Sequence, residues 1–445
     1  MLSDLGRREE ALATAEEAVA LYRVLAAENP DAFISYLAGS LNNLAPRLSE
    51  LGRREEALAT AEEAVRFRRV LAAVRPDAFT PDLASSLSNL ATRLSESGRR
   101  EEALAAAEEA ARLYRALAAA RPDAFTPDLA LSLNNLGTRL SDLGRREEAL
   151  AVAEEAVRLY RILASVRPET FAPDLAGSLS NLGNRLSALG RREEAQMAAE
   201  EAVRLYRALA AARPDAFTSD LALSLNNLGT RLGALGRHEE ALAVAEEAVS
   251  HHRTLAAAHP DAFTADLAAS LNNLANRLSD LARREDALMV AEEAVRLRRA
   301  LAAVHPEAFT PDLALSLNNL AAILSTLRRR EEALAAAEEA VRLRRALAAA
   351  RPDAFGVDLA RSVWVLGDLY GETGKSDLAV GTLTEGLRLL TPIFVAGPAA
   401  VAGIMVGLVQ SYLAQCEAAG REPDDELLRP AAAVFERLNA TEGEK

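Results

Sequence analysis

Residues 126–168 read TPDLALSLNNLGTRLSDLGRREEALAVAEEAVRLYRILASVRP. Between 129 and 143, five leucines alternate at spacings of four and three residues, which is the period of one apolar stripe on a helix. Gly144 then favours a left-handed helix end, and residues 145–167 continue as a second helix until Pro168. Because neither helix can bury its apolar stripe alone, the stretch predicts a helix-turn-helix unit that packs against others of its kind.

The start of the first helix is predicted from three residues in a row. Thr126 is a good N-cap, Pro127 suits the first turn, and Asp128 favours the positive end of the helix dipole. Phe171 then falls in the link to the next unit, where we expect it to fill the gap between layers. Gly137 is a small residue that lets the paired helices approach closely.

The turn phrase GRREEA, or a variant of it, returns every 46 residues. Its first residue is Gly6, Gly52, Gly98, Gly144, Gly190, Gly236, Ala282, Arg328, Gly374 and Gly420. A fixed period of this length is the signature of a repeat array. The sequence therefore predicts a single all-α solenoid rather than several unrelated domains.

The repeat closely resembles the tetratricopeptide repeat. If the turn glycine is position 15, that family places large or small residues at defined positions, and the matching residues here are Leu133, Leu136, Gly137, Leu140, Gly144, Ala149 and Ala156. Ala153 replaces the usual aromatic residue, and Pro168 comes seven residues late because the second helix is longer. The unit is similar to the long repeats of kinesin light chains and of many bacterial signalling proteins.

This resemblance implies an alpha-alpha superhelix of about nine to ten units. It covers residues 1–390 strongly, with a truncated first unit, and 391–445 weakly, as a degenerate terminal repeat or C-terminal cap. It also implies a non-enzymatic binding scaffold, because the family is not catalytic in itself. In such arrays the first helices line a concave groove that binds a peptide or protein segment.

Asparagines recur on the face of the first helix that the resemblance assigns to this groove. Position six holds Asn43, Asn89, Asn135, Asn181, Asn227, Asn273 and Asn319, and position five holds Asn42, Asn134, Asn226, Asn272 and Asn318. An amide offers both donors and an acceptor, which suits the backbone of an extended peptide. Alternatively, these amides bond to neighbouring helices or to their own backbone and keep the array in register.

Arginines recur at position ten, on the edge of the same face. They are Arg47, Arg93, Arg139, Arg185, Arg231 and Arg277, and the last five are candidate contacts for a carboxylate or phosphate group. Asp142 follows Arg139 by three residues, as Glu50 follows Arg47, which favours pairing within the helix instead. On the second helices, charged residues such as Glu154 and Arg158 predict a solvated convex face with helical ion pairs rather than catalytic carboxylates.

Composition excludes several classes of protein. The chain has 445 residues, of which 51 are basic and 65 acidic, and its net charge of −14 argues against nucleic-acid binding. Cys416 is the only cysteine, which fits a reducing cytoplasm. Nearly all basic residues are arginine, as in a bacterium with a GC-rich genome. No cofactor motif is present, and the adjacent His251 and His252 point to different helix faces, so we predict no metal site.

Two stretches leave alternatives open. Residues 389–416 carry no formal charge and are long enough to cross a membrane, but prolines and glycines interrupt them, which favours a buried helix pair. Met1 aligns with the last turn of a first helix, so the helix at 8–27 would lack its partner. A missing upstream segment, self-association through that open face, or a sensor arm of a larger signalling enzyme or ATPase would each explain this.

The repeat pattern also breaks at defined positions. Pro46 lies inside a first helix and predicts a kink. Ala282 and Arg328 replace the turn glycine, for which we predict looser turns without left-handed geometry. Beyond Gly374 the pattern drifts, which indicates a C-terminal cap or, alternatively, a docking surface. That surface would be built around Trp364, Phe394, Met405 and Tyr412.

Overall fold

A computed structural model describes residues 2–442, apart from the side chains of 2–7, 353, 399–400 and 439–442. Within this range the chain forms nineteen consecutive α-helices, which confirms the all-α repeat fold. They are α1 (Leu2–Glu28), α2 (Pro30–Glu50), α3 (Arg54–Val74), α4 (Pro76–Glu96), α5 (Arg100–Ala120), α6 (Pro122–Asp142), α7 (Arg146–Val166), α8 (Pro168–Ala188), α9 (Arg192–Ala212), α10 (Pro214–Ala234), α11 (His238–Ala258), α12 (Pro260–Asp280), α13 (Arg284–Val304), α14 (Pro306–Thr326), α15 (Arg330–Ala350), α16 (Pro352–Glu372), α17 (Ser376–Ala396), α18 (Pro398–Ala418) and α19 (Asp425–Glu442).

The first helices begin earlier than the sequence predicts. Helix α6 starts at Pro122, so Pro127 lies inside it, and the Thr126 hydroxyl donates to the Pro122 carbonyl at 2.7 Å instead of capping the helix. Pro122 is itself a good first residue of a helix, because its missing N–H has no partner there in any case. Phe171 consequently lies in the second turn of α8 and is buried, rather than in a loop.

All ten predicted turn positions except Gly6 adopt the left-handed conformation. Gly144 has φ +72°, and Ala282 and Arg328 follow at +56° and +60°. The prediction of different turns at these two residues is therefore wrong. The N–H of Arg283 bonds to the Leu278 carbonyl at 2.9 Å, as in the glycine turns. Packing of the flanking helices offsets the cost of about 1 kcal/mol of a left-handed alanine.

The predicted turn at Gly6 is absent, because α1 runs without interruption from Leu2 to Glu28. Glycine permits a left-handed turn without imposing one. A continuous helix satisfies the backbone groups that a turn would expose. Helix α2 likewise continues through Pro46 to its end at Glu50.

The helices divide into two compact units, Met1–Leu235 and Gly236–Lys445. In the first unit, Leu133 and Leu179 of the predicted stripe are fully buried. Ala149, Ala153 and Ala156 of α7 are also fully buried, so small side chains form the face of this helix that packs in the core. In the second unit, Leu271 and Leu317 occupy the equivalent core positions with no exposed surface.

The uncharged stretch at the end of the second unit forms parts of α17 and α18. Phe394 and Met405 are fully buried and Tyr412 nearly so, and the rings of Phe394 and Phe435 lie 4.9 Å apart. These side chains belong to the core, so they do not form the alternative docking surface. Within the described residues, Ser376–Ala396 is the one helix apolar and long enough to cross a membrane, and it packs against α16, α18 and α19.

Candidate functional site

Positions 2, 6, 9 and 13 of each first helix share one side of that helix, which we call the groove face. On α6 these positions are Leu131, Asn135, Thr138 and Asp142, of which Leu131 is 53% exposed. Because α6 begins at the earlier proline, Asp128 is a helical residue seven positions before Asn135 and lies on the same face. The early helix start thus adds one carboxylate per repeat to the groove face.

The position-five asparagines lie between successive first helices. The Asn134 amide nitrogen donates to the Ser178 hydroxyl at 2.6 Å, and Asn318 makes the same bond to Ser362. Asn226 and Asn272 are more than nine-tenths buried. A buried amide that is hydrogen-bonded fixes how neighbouring helices align.

Two position-six asparagines take part in the same contact. The Asn89 amide nitrogen donates to the Asn42 side-chain oxygen at 3.0 Å, and Asn319 donates to Asn272 in the same way. At the C-terminal end the Trp364 indole donates to Ser411 across the same 47-residue interval. The side chains that form the hydrogen bond therefore differ at this end, but the interval between the bonded residues is the same.

The position-six asparagines of the first unit's central repeats differ from these in their hydrogen bonding. Among the described side chains, the amides of Asn135, Asn181 and Asn227 have no hydrogen-bond partner, and all three are half-buried. In the repeats before Asn135 and Asn227, serine replaces the position-five asparagine, and Ser88 and Ser180 donate to their own helix backbone at 3.1 Å. The bond from Asn134 to Ser178 does not account for Asn181, because the Asn134 side-chain oxygen is buried without a partner. Asn273, which the sequence also predicted to contact a ligand in the groove, is half-buried.

A cavity of about 760 Å³ opens on the groove face at the N-terminal end. Its lining brings together Asn42, Asn43, Arg47 and Asn89, four residues that the sequence singled out. Asn43 is exposed there. Residues of α1 form the opposite wall.

Four of the position-ten arginines pair within their own helix. Guanidinium-to-carboxylate distances are 3.5 Å for Arg47–Glu50, 3.0 Å for Arg93–Glu96, 3.2 Å for Arg139–Asp142 and 3.3 Å for Arg277–Asp280. These arginines adopt the local pairing that the sequence favoured.

Arg185 and Arg231 have no acidic residue three positions on and behave differently. Each is more than nine-tenths buried, and burial lowers the pKa of both guanidinium groups. Arg185 donates to the Thr138 hydroxyl at 3.2 Å, and Arg231 donates to the Asn184 side-chain oxygen at 2.7 Å. These two arginines therefore link one first helix to the preceding one.

Sequence reasoning missed a largely buried column on the second helices, sixteen residues after each predicted turn position, which we call the inner column. It consists of Tyr22, Arg68, Tyr114, Tyr160, Tyr206, His252, Arg298, Arg344 and Leu390. Fourteen residues after seven of these stands an aspartate on the next first helix. These aspartates are Asp82, Asp128, Asp174, Asp220, Asp266, Asp312 and Asp358, which we call the aspartate row. A constant aspartate opposite a variable polar residue is the signal that the sequence offered.

Where the inner column holds arginine, it pairs with the aspartate row. Arg68 lies 2.7 Å from Asp82, Arg344 lies 3.5 Å from Asp358, and Arg298 pairs with Asp312. The three arginine side chains are 9% exposed or less. A guanidinium buried to this extent needs a charged partner.

Where the inner column holds tyrosine, the aspartate row has no cation. Burial, and after it the charges of nearby aspartates, raise the pKa of Tyr114 and Tyr206 to about 12. Desolvation likewise raises the pKa of Asp128, Asp174 and Asp220 above the ordinary value. An uncompensated carboxylate in poorly solvated surroundings is the physical cause.

Charges on the second helices pair between repeats rather than only along the helix. Arg115 lies 2.6 Å from Glu155 of the next second helix, and a pair 40 residues apart recurs along both units. Glu154 lies 3.9 Å from Arg191 of the following repeat, not against Arg158 as predicted. For Glu154, an ion pair between successive repeats therefore replaces the expected pair within one helix.

The described side chains include no group of three histidine, cysteine or acidic residues close enough to hold a metal ion. No catalytic domain is evident in the described part of the chain. His252 belongs to the inner column and lies 2.6 Å from the Ser270 hydroxyl, whereas His251 points towards Glu247.

Comparison of the structure with solved structures returns helical repeat proteins. BtubC from P. vanneervenii is 22% identical, with a TM-score of 0.45 over 56% of this chain and 92% of that one. A putative kinesin light chain with nearly identical TPR-like repeats, from Podosopora anserina, is 20% identical, with a TM-score of 0.38 over 50% and 97%. At these identities the likeness is one of fold.

A signal transduction ATPase with numerous domains and a tetratricopeptide repeat sensor, from Pyrococcus horikoshii, is 13% identical. Its TM-score is 0.50, and the match covers 90% of this chain and 55% of that one. The chain thus spans about half the length of that ATPase. No curated protein matches the sequence.

Comparison with family models identifies the repeats directly. A model for anaphase-promoting complex subunit 5 matches residues 1–38. The tetratricopeptide repeat model matches seven segments, 37–73, 83–120, 129–167, 175–211, 221–261, 267–307 and 313–350, which together cover more than half of the sequence. The chain therefore belongs to the tetratricopeptide repeat family.

Proposed function

We propose that this chain is a non-enzymatic scaffold whose groove face binds an extended segment of another protein. The observation that carries the proposal is the row of unpaired amides at Asn135, Asn181 and Asn227. Each amide can donate to a peptide carbonyl and accept from a peptide N–H. Because they recur at one position of three successive repeats, they match the repeating backbone of an extended ligand.

Other asparagines of the first helices have a structural role instead of a binding role. Asn89 and Asn134 bond to the neighbouring first helix, so they stabilise the register of the array. A ligand that used them would have to break those bonds. The position-six amides of the central repeats carry no such cost.

A peptide-display selection tests the proposal, because it finds binding segments without an identified partner. Peptides selected on the intact chain should lose binding to the triple variant Asn135→Ala, Asn181→Ala, Asn227→Ala. Affinity should fall at least tenfold, since three ligand hydrogen bonds of about 1 kcal/mol each are removed. Helicity by circular dichroism should stay at the wild-type value.

The matched control carries three changes to alanine on the second helices that directly precede α6, α8 and α10, at Glu101, Glu147 and Glu193. These side chains are exposed and lie away from the groove face. Selected peptides should bind the control as they bind the wild type. Peptides that bind all three proteins equally would show that the groove face is not the binding surface.

A sensor arm of a larger signalling ATPase is a second candidate, favoured by the ATPase match that covers 90% of this chain. The intact mass of the endogenous protein separates the two. A mass near 47.5 kDa indicates a free-standing scaffold. A substantially larger mass would place the groove in a protein with its own effector domain.

A further inference from the structure

The aspartate row has two kinds of environment. At Asp82, Asp312 and Asp358 the inner column supplies an arginine, and the carboxylate forms an ion pair with the guanidinium group of that arginine. In three repeats, therefore, the carboxylate at this position binds a guanidinium group. Paired carboxylate and guanidinium groups give strong, charge-assisted hydrogen bonds.

In three successive repeats of the first unit, tyrosine takes the arginine's place. There Asp128, Asp174 and Asp220 make no ion pair and no hydrogen bond with any described side chain. A phenol carries no positive charge and offers a single donor, so tyrosine cannot replace the guanidinium. These carboxylates retain their full capacity to accept hydrogen bonds.

The tyrosine hydroxyls at these sites add hydrogen-bonding capacity beside the carboxylates. The Tyr160 and Tyr206 side chains are mostly buried, but their hydroxyl oxygens keep contact with solvent and make no hydrogen bond to a described residue. The Tyr114 hydroxyl instead bonds to Ser85. A solvent-facing phenol can donate to and accept from a ligand, so two of the three sites offer a hydroxyl near the open carboxylate.

The open carboxylates are accessible to a ligand. Asp174 and Asp220 are exposed and Asp128 is half-buried. Each stands seven residues before one of the unpaired amides, Asn135, Asn181 or Asn227, and a seven-residue interval keeps both side chains on one helix face. Three consecutive repeats thus present the same pair, a carboxylate and an amide.

We propose that Asp128, Asp174 and Asp220 are binding sites for the arginine side chains of a partner's extended segment. This proposal rests on the proposed function and adds the chemistry of the ligand. Each partner guanidinium forms an ion pair with its carboxylate, as Arg68 does with Asp82, but approaches from the groove face because tyrosine fills the inner column there. The adjacent asparagine binds the partner's backbone, so the face selects basic segments.

The raised pKa of the three carboxyl groups supports this assignment. Poor solvation without a compensating cation is the cause of the shift. A bound guanidinium would stabilise the ionised form and return the pKa towards its ordinary value. Arginine binding should therefore weaken as pH falls and the carboxyl groups become protonated.

The probe is a fluorescein-labelled Ser/Gly peptide with arginine at every third position, three in all. Neighbouring packed helices lie about 10 Å apart, which three extended residues span. Fluorescence anisotropy at 0.15 M NaCl measures its affinity for the intact chain. A peptide with citrulline in place of arginine keeps the shape and removes the charge, and it should bind at least tenfold more weakly.

The variant Asp128→Asn, Asp174→Asn, Asp220→Asn should weaken binding of the arginine peptide at least tenfold. The control Glu101→Gln, Glu147→Gln, Glu193→Gln changes the net charge by the same amount on the second helices. It should change the affinity less than twofold. Equal losses in the two variants, or no binding of the probe to the wild type, would overturn the proposal, since general attraction to an acidic protein would then explain any affinity.

A second variant tests the internal comparison. Tyr160→Arg places a guanidinium where Arg68 stands two repeats earlier, so it should pair with Asp174 and weaken probe binding about threefold. Circular dichroism checks that the array stays folded. If displayed peptides require the three asparagines but tolerate the aspartate variant, the arginine assignment fails while the scaffold function stands.

Discussion

Arg185 lies directly against Gly137 of the preceding repeat: a methyl group added at Gly137 would come within 3.0 Å of the Arg185 Nη2 atom. The glycine therefore accommodates a guanidinium from the next first helix, besides letting its own helix pair approach. Gly183 has the same relationship to Arg231 at 3.2 Å. In these two repeats the glycine at position eight leaves space for the arginine of the following repeat.

Gly137→Val should destabilise the array, because the new side chain displaces Arg185 and also meets Val152. We expect a loss of about 1–3 kcal/mol, the usual cost of overpacking. Urea unfolding followed by circular dichroism measures it. Gly381→Val is the control, because that helical glycine faces open space. An equal loss in both variants would mean that helix propensity, not the arginine, determines the effect.

The two turns without glycine should be sites of easy stabilisation. Ala282→Gly and Arg328→Gly should each raise the free energy of unfolding by about 1 kcal/mol, since both residues have positive φ. Ala322→Gly, inside α14 and four residues before its end, should lower it by about 1 kcal/mol. Denaturant midpoints of the three variants give the comparison. Destabilisation by glycine at both turns would contradict the strain that we infer.

His252 should make the second unit sensitive to acid. Desolvation lowers the pKa of this buried imidazole below 6.5, although Asp266 opposes the shift and His251 adds to it. As the pH falls below about 6.5, the unfolded chain binds more protons than the folded one, so stability falls. His252→Tyr, which restores the residue of the central repeats, should reduce this loss between pH 7.5 and 5.5.

His305→Tyr is the matched control for the acid effect, because His305 is exposed and packs on Phe309. It should keep the wild-type dependence of stability on pH. If the His252 variant loses as much stability in acid as the wild type does, another group is responsible.

The buried link between Asn318 and Ser362 should contribute to the register of the second unit. Ser362→Ala leaves the Asn318 amide, which is 6% exposed, without its 2.6 Å partner. Loss of a buried partner costs about 1–3 kcal/mol. A double-mutant cycle with Asn318→Ala should show coupling of about 1 kcal/mol. Additive effects of the two changes would mean that the bond contributes nothing of its own.

Local periodicity was enough to predict the helix pairs, the turns and the buried leucine stripe, because 46-residue spacing fixes them in every repeat. The helix start was missed because Thr126, Pro127 and Asp128 imitate a cap, whereas the earlier Pro122 determines the first turn. That error concealed Asp128 as a residue of the groove face. Which amides stay unpaired was beyond the pattern, since it depends on bonds between repeats, such as the one from Asn89 to Asn42 across 47 residues.

The pairs that join successive second helices, such as Arg115 with Glu155 and Arg161 with Glu201, repeat the same interval of 40 residues. Deletion or duplication of 46 codons therefore creates a junction at which an arginine again meets a glutamate. Recombination within the gene can change the number of repeats without leaving a broken contact. If the groove face binds an extended segment as proposed, the length of that segment is then a heritable quantity that varies in whole repeats.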